Sequence, residues 1–248
     1  MNPLGIVAAL AAEARALGPA VKRMGDVGCL GDGTLLAVSG MGCAAAGRAA
    51  GRLIEAGASA LMSFGLAGGL DPRLSAGSVV LPSEVISRDG AGIATSVDWR
   101  ERLAAALASP RRASPAAPRP VAGGKLLTSA QAIDSVADKA AAFRDTGAVA
   151  VDMESLAVAQ AAAAHRLPFM AVRVIVDTAA DALPRAVAAA SQGGQVRIWP
   201  LIGALALSPS EFAAIIRLAI RYRTATRSLA AVARAVLPAH LDTQVRAA

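Results

Sequence analysis

Between residues 5 and 177, short continuous apolar runs alternate with Ala-rich stretches of helical length, and this alternation restricts the fold most. "GIVAAL" (5–10), "TLLAVSG" (34–40), "ALMSFG" (60–65), "SVVLPSEVI" (78–86), "GKLLTS" (124–129), "GAVAV" (147–151) and "FMAVRVIVD" (169–177) read as strands. Between them 43–57, 98–108, 134–145 and 154–165 read as helices. Strands that are apolar at nearly every position are buried on both faces, and crossover helices join strands that run parallel. The expected fold is therefore α/β, with three αβα layers around a central mixed, largely parallel sheet. Antiparallel pairing is expected near 78–86, where no helix follows quickly. Residues 1–190 are expected to form the main domain, with the Pro-rich basic segment 108–124 as a surface excursion. Residues 191–248 read as an irregular stretch and a basic helix from about Pro209 to Val236, packed on or appended to that domain.

The chain is 55% hydrophobic and only 17% charged, so a buried core is expected and disorder is not. Its net charge of +7 favours anionic partners, but with 3% aromatic residues there is little surface for stacking bases, and no nucleic-acid partner is expected. Cys29 and Cys43 show neither metal-ligand nor disulfide spacing, which suits a reducing cytoplasm and argues for no metal. The opening stretch is interrupted by Glu13 and Arg15, unlike a secretory signal. The longest uncharged runs, around 56–70 and 198–210, fall short of the ~18–20 residues of a membrane span. A cytoplasmic location is expected.

Within "AVAVDMESLAVAQ" (148–160) two acids stand one residue apart among apolar neighbours. A buried carboxylate is costly unless it is paired or hydrogen-bonded. Asp152 reads either as a helix cap and Glu154 as a first-turn acid, or both as ligand contacts. In open α/β sheets ligands bind beyond the carboxyl ends of the strands. Glu13, "SGMG" (39–42), "FGLAGG" (64–69), Asp152, Glu154 and Asp177 all fall at such ends. The glycine turns read as tight connections or as backbone N–H groups offered to a ligand. Arg173 and Asp177 share one face of an apolar strand, where an arginine needs an acid partner or an anionic ligand.

Together "GIVAALAAE", "SGMG", "FGLAGGLDPRLSAGSVVL", "AVAVDMES" and "LPFMAVRVIVD" resemble, in order, the purine nucleoside phosphorylase and nucleosidase superfamily from about residue 4 to residue 182. The resemblance implies an enzyme that breaks the N-glycosidic bond of nucleosides, with phosphate or water as the attacking group, and a homo-oligomer. It implies no resident cofactor, phosphate entering only as a co-substrate. Asp177 would donate a proton towards N7 of the purine, Glu13 stands where hydrolytic members activate water, and Arg173 matches the family arginine near both. Asp152, Met153 and Glu154 would line the ribose, while Gly42, Ala67, Gly68, Ser129 and Gln131 fall on the segments that cradle sugar, nucleophile and base. Three departures stand out. Leu66 replaces a serine of nucleosidase relatives, Val176 replaces a serine that often precedes the acid, and Asp152 replaces a glutamate.

Within the superfamily the chain looks most like the hopanoid-associated phosphorylases, through "GLAGGLDP", "VDMES" and the longer basic C-terminus. That closer resemblance implies adenosylhopane as substrate and adenine as product, in hopanoid biosynthesis. A nucleosidase for methylthioadenosine or S-adenosylhomocysteine is the alternative, and a non-catalytic nucleoside-binding protein at the membrane surface is another. Arg217, Arg221, Arg223, Arg227 and Arg234 lie among Ile and Leu in the last helix, which reads as a peripheral contact with the anionic inner membrane surface or as a solvated basic face. Trp199, just before it, reads as packing or as the lining of an apolar entrance.

Overall fold

A computed structural model describes residues 3–19, 25–109, 120–183 and 209–245. In chain order the elements are β1 (Leu4–Ala8), α1 (Ala11–Leu17), β2 (Val27–Cys29), β3 (Leu35–Val38), α2 (Cys43–Glu55), β4 (Ala60–Gly69), β5 (Val79–Leu81), β6 (Glu84–Ile86), β7 (Gly92–Ala94), α3 (Val97–Ala108), β8 (Val121–Ala122), β9 (Lys125–Thr128), α4 (Val136–Thr146), β10 (Ala148–Asp152), α5 (Ser155–Ala164), β11 (Phe169–Asp177) and α6 (Pro209–Val245). The core of the 108–124 excursion and the irregular 191–208 stretch, with Trp199, lie outside the described residues.

The strands form one mixed sheet in the order β2-β3-β1-β4-β10-β9-β6-β7, with β11 branching from β4 and followed by β5 and β8. Its central pairs, β1 with β3, β1 with β4, β4 with β11 and β9 with β10, run parallel. Side chains alternate between two apolar layers, as the pleat requires. Leu4, Ile6, Met62, Phe64, Val172 and Val174 pack with α1, α3 and α6 on one side. Val7, Leu61, Ala171 and Ile175 pack with α2 and α5 on the other. The expected αβα architecture is present.

Two expectations need correction. The run 78–86 is two strands, because Pro82 has no N–H for the ladder; β5 pairs antiparallel with β11, and β6 pairs parallel with β9. "FGLAGG" is not a turn: β4 continues as strand to Gly69, its register with β11 running to Gly68 opposite Asp177.

That extension makes the site. On one edge of β4, β1 pairs only as far as Ser63, and β10 arrives antiparallel at Gly68 and Gly69. Among the described residues the edge between them has no strand partner, and the ends of β1 and β10 open towards it. A change of neighbour of this kind leaves a crevice where ligands sit in α/β sheets. Helix α6 closes one side of it. From Ala225 onward its buried face, including Leu229, Val232 and Ala233, belongs to the core shared with α1, α3 and β11.

Replacing Leu229 by Ala should lower unfolding stability by about 2–5 kcal/mol. Denaturant titration checks this; a helix merely appended to the domain would leave the main transition unmoved.

Candidate active site

A cavity of about 550 Å³ occupies the crevice, within the range of small-molecule pockets. Glu13, Asp152, Glu154 and Asp177 reach its wall, among Leu10, Met41, Leu66, Met153 and Val176. Four acids in an apolar hollow are the expensive feature, and the structure shows how each is accommodated.

Glu13 enters on the first turn of α1. Its Oε2 accepts the N–H of Leu10 at 2.9 Å, the return half of a capping box, so a local helix signal places it. Its Oε1 accepts the N–H of Leu66 at 2.8 Å, a backbone donor on the unpartnered edge of β4. Burial pushes its carboxyl up from the usual value, against the pull of Arg173 and these N–H groups.

Asp152 ends β10 and is fully engaged. Its Oδ1 accepts the Thr128 hydroxyl at 2.8 Å, and its Oδ2 accepts the Ser155 N–H at 3.1 Å and Arg173 Nε at 2.8 Å. The guanidinium also donates through Nη2 to Ser63 Oγ at 2.6 Å and Ser155 Oγ at 3.0 Å. Arg173 is only 2% exposed and lies behind the cavity wall, touching Asp152 rather than the open space. An alanine Cβ at position 65 would lie 2.6 Å from Glu13 Oε1 and 2.7 Å from Arg173 Nη1, so only glycine lets both groups approach β4.

Glu154 is held more lightly. Its Oε1 accepts the Gly42 N–H at 2.8 Å, and its Oε2 accepts that of Met153 at 3.3 Å. Gly42 has φ 93°, which aims this N–H into the site and disfavours a side chain. Burial first, then the Asp152 charge, raises the Glu154 carboxyl to about 7.

Asp177 closes β11. Burial raises its carboxyl, while the ammonium of Lys139 opposes that shift. Lys139, on α4, is wholly buried and donates to Asp177 Oδ2, to Thr178 O at 2.9 Å and to Asp181 O at 2.8 Å. Ser135 caps α4 by accepting the Asp138 N–H at 3.0 Å, so Lys139 falls one turn in, on the face carrying Ala142.

Of the residues expected from sequence, Glu13, Ala67, Gly68, Gln131, Asp152, Met153, Glu154 and Asp177 line the cavity. Arg173 and Gly42 stand behind it, each holding an acid. Ser129 is also outside the lining; its N–H donates to Asp152 O at 2.8 Å and its Oγ accepts that of Gln131 at 3.4 Å. Sequence reasoning missed Lys139, the hydroxyls of Ser63, Thr128 and Ser155, and the α6 wall of Leu218, Ala219, Tyr222 and Arg223. A signal for Lys139 existed in its spacing from Ala142 and Phe143, which puts a lysine on the apolar side of α4.

The family model of the phosphorylase superfamily matches residues 23–195, more than half of the chain. The chain belongs to this superfamily. Membership places it among enzymes that cleave nucleosides. No curated protein matches the chain in sequence. Among solved structures, it is similar to the 5′-methylthioadenosine/S-adenosylhomocysteine nucleosidase of Neisseria meningitidis in complex with methylthio-immucillin-A: 21% identity, 97% of this chain and 100% of that one, TM-score 0.71. The corresponding nucleosidase of Colwellia psychrerythraea, in complex with adenine, gives 24% identity, coverage of 72% and 83%, and a TM-score of 0.62. Futalosine hydrolase of Helicobacter pylori gives 18%, 72%, 86% and 0.62. At these identities the likeness is one of fold.

The raised Glu154 carboxyl makes stability pH-dependent. Unfolded, the group titrates near 4.5, and folded at about 7. As pH rises between these values the unfolded chain loses the proton and the folded chain keeps it, so the stabilisation present at low pH is lost. Glu154→Gln should flatten this decline and raise the melting temperature at pH 8; thermal melts across pH 4–8 check it.

Proposed function

We propose that this protein hydrolyses the N-glycosidic bond of a purine nucleoside, releasing adenine, with adenosylhopane as its substrate. One observation carries the reaction class: Glu13, Glu154 and Asp177 open into the same apolar cavity, each carboxyl raised by burial. In this reaction Asp177 carries a proton, which its burial favours, and donates it to N7 of the base as the electron pair of the C1′–N9 bond moves onto the leaving purine. The turn Gln131–Ala132–Ile133 supplies the adjoining wall for that base. Glu154 accepts from the ribose hydroxyls, and such bonds strengthen as the ring becomes cationic. Glu13 in its ionised form takes a proton from the water whose oxygen bonds to C1′.

Water is favoured over phosphate by the charges. Arg173 is committed to Asp152, Ser63 and Ser155, and Leu66 offers no hydroxyl beside Glu13. A phosphate dianion beside Glu13 would face carboxyl groups, and among the described residues Arg223 on the α6 wall is the one cation that lines the cavity.

The lipid-linked substrate is supported by the apolar part of the cavity lining. Leu10, Met41, Leu183, Leu218 and Tyr222 suit an apolar 5′ substituent better than a polar one. Away from the cavity lining, α6 carries Ile216 at 43% and Ile220 at 60% exposure, beside exposed Arg217 and Arg227. An apolar ridge flanked by arginines suits an anionic bilayer, from which such a substrate would be drawn. Among the described residues no helix is long and apolar enough to cross a membrane, so this contact would be peripheral. The same cavity also supports a methylthioadenosine-type nucleosidase, since a methylthio group is a small apolar 5′ substituent.

Adenine release, followed by chromatography with adenosylhopane and with methylthioadenosine, tests the reading. Faster release from adenosylhopane, at a rate independent of added phosphate, is expected. Phosphate-dependent release would assign phosphorolysis, and preference for methylthioadenosine would assign the smaller substrate. Binding to anionic vesicles should weaken as salt is raised and on Ile220→Asp, measured by sedimentation; binding indifferent to both would exclude the α6 contact.

A further inference from the structure

Asp177 presents a physical difficulty. A general acid must hold its proton at working pH, yet this carboxyl touches a buried ammonium that favours the ionised form. A lysine placed there by chance would oppose catalysis, and it is also costly to bury. Its surroundings are nevertheless complete. An ammonium has three donors, and the three acceptors around Lys139 are Asp177 Oδ2, Thr178 O and Asp181 O. The segment it grips is closed on itself, since Asp181 Oδ2 accepts both the N–H of Thr178 at 3.0 Å and its hydroxyl at 2.7 Å. Asp181 in turn pairs through Oδ1 with Arg221 of α6 at 2.5 Å, the helix whose next residue, Tyr222, walls the cavity.

We propose that Lys139 is a positioning residue for the general acid: it fixes Oδ2 of Asp177 so that Oδ1 meets the base, it supplies the counter-charge once the proton has left, and the Asp181–Arg221 pair ties this clasp to α6. This rests on the proposed reaction. Before transfer, burial favours the neutral carboxyl against the pull of the ammonium. During transfer the O–H bond breaks, its electron pair stays on the carboxylate, and the ammonium is already in contact with that charge. The attraction is therefore larger in the transition state than in the ground state, which is the condition for it to accelerate the step. The groups facing Asp177 are Lys139 from α4 and Asp181 from the segment after β11, with Arg221 of α6 beyond Asp181. The first two act with opposite signs, Lys139 lowering and Asp181 raising the carboxyl.

The test is direct titration of the Asp177 carboxyl in the ligand-free protein by isotope-edited infrared difference spectroscopy, with Asp177→Asn identifying its band. In Lys139→Met the titration should move up by about 1–3 pH units, the span expected for losing an opposite charge in contact. Lys139→Gln, which keeps a polar group at the site, should move it the same way and serves if the Met variant does not fold. Asp181→Asn, which keeps an oxygen for Thr178, should move it down. A titration that stays in place in the lysine variants, or moves the same way in all three, overturns the clasp.

A kinetic cycle separates positioning from general support of the fold. Lys139→Met should lower kcat about 10-fold or more with KM little changed, but cost nothing further in the Asp177→Asn background. Equal losses in both backgrounds would make Lys139 structural only. Because the titration requires no nucleoside, its shift in a protein that releases no adenine would overturn the proposed reaction and leave the clasp standing.

Discussion

The contact between Arg173 and Asp152 is the constraint on which the site depends. It joins the end of β10 to the middle of β11, and through Thr128, Ser63 and Ser155 it reaches β9, β4 and α5. Isolated, a buried pair contributes little net stability compared with well-packed apolar residues, but losing one partner costs about 3–5 kcal/mol. The pair therefore specifies geometry more than it stabilises. With Asp152 immobile, Glu154 two residues later is held at the cavity wall, within reach of Gly42 on the far side. Arg173 also lies close enough to Glu13 to oppose the rise of its carboxyl. One guanidinium thus places two acids it does not share a strand with.

The acids divide by how completely the protein satisfies them. Asp152 accepts three hydrogen bonds, from the Thr128 hydroxyl, the Ser155 N–H and Arg173 Nε, and is the most fully satisfied of the four. Glu13 and Glu154 accept mainly from single backbone N–H groups, so each retains acceptor capacity towards the cavity. Asp177 has one oxygen held and the other unassigned among the described contacts. Incomplete satisfaction of a buried carboxylate is unfavourable in the empty protein. A ligand that brings hydroxyls or a basic ring nitrogen removes that cost, and this difference selects what binds.

Much of the architecture was legible because the central strands are apolar and the helices between them are of readable length, α4 with the clearest bounds in Ser135 before it and Gly147 after it. The positions of Glu13, Asp152, Glu154 and Asp177 were legible for the same reason: they follow strands whose carboxyl ends were readable. The partners were not. A lysine in "VADKAAAF" looks like the solvated side of an Ala-rich helix, although its spacing from Ala142 and Phe143 sets it on the apolar side, where the docking of α4 buries it. Arg173 announced that it needed a partner but not that an acid on β10 would take it. The glycines of "FGLAGG" read as a turn since Gly commonly ends strands; here Gly65 is required by the approach of Glu13 and Arg173 to a strand that continues. The α6 wall was hidden because a helix distant in sequence declares its amphipathic pattern but not which pocket it covers.

Helix α6 brings two requirements together. Its buried half belongs to the same core as β11, and its preceding turns close the cavity with Leu218, Ala219 and Tyr222. Covering the crevice with apolar side chains excludes water from the carboxyls, and that exclusion is the largest cause of the rise at Glu13, Glu154 and Asp177 alike. The fit for an apolar substituent and the protonation of the acid are then a single property of the wall. A more polar α6 would admit water, lower the carboxyls together and weaken proton donation even with every acid in place. Under the proposed function, an apolar 5′ group and the acid chemistry depend on the same few residues, so neither can be altered at this helix without changing the other.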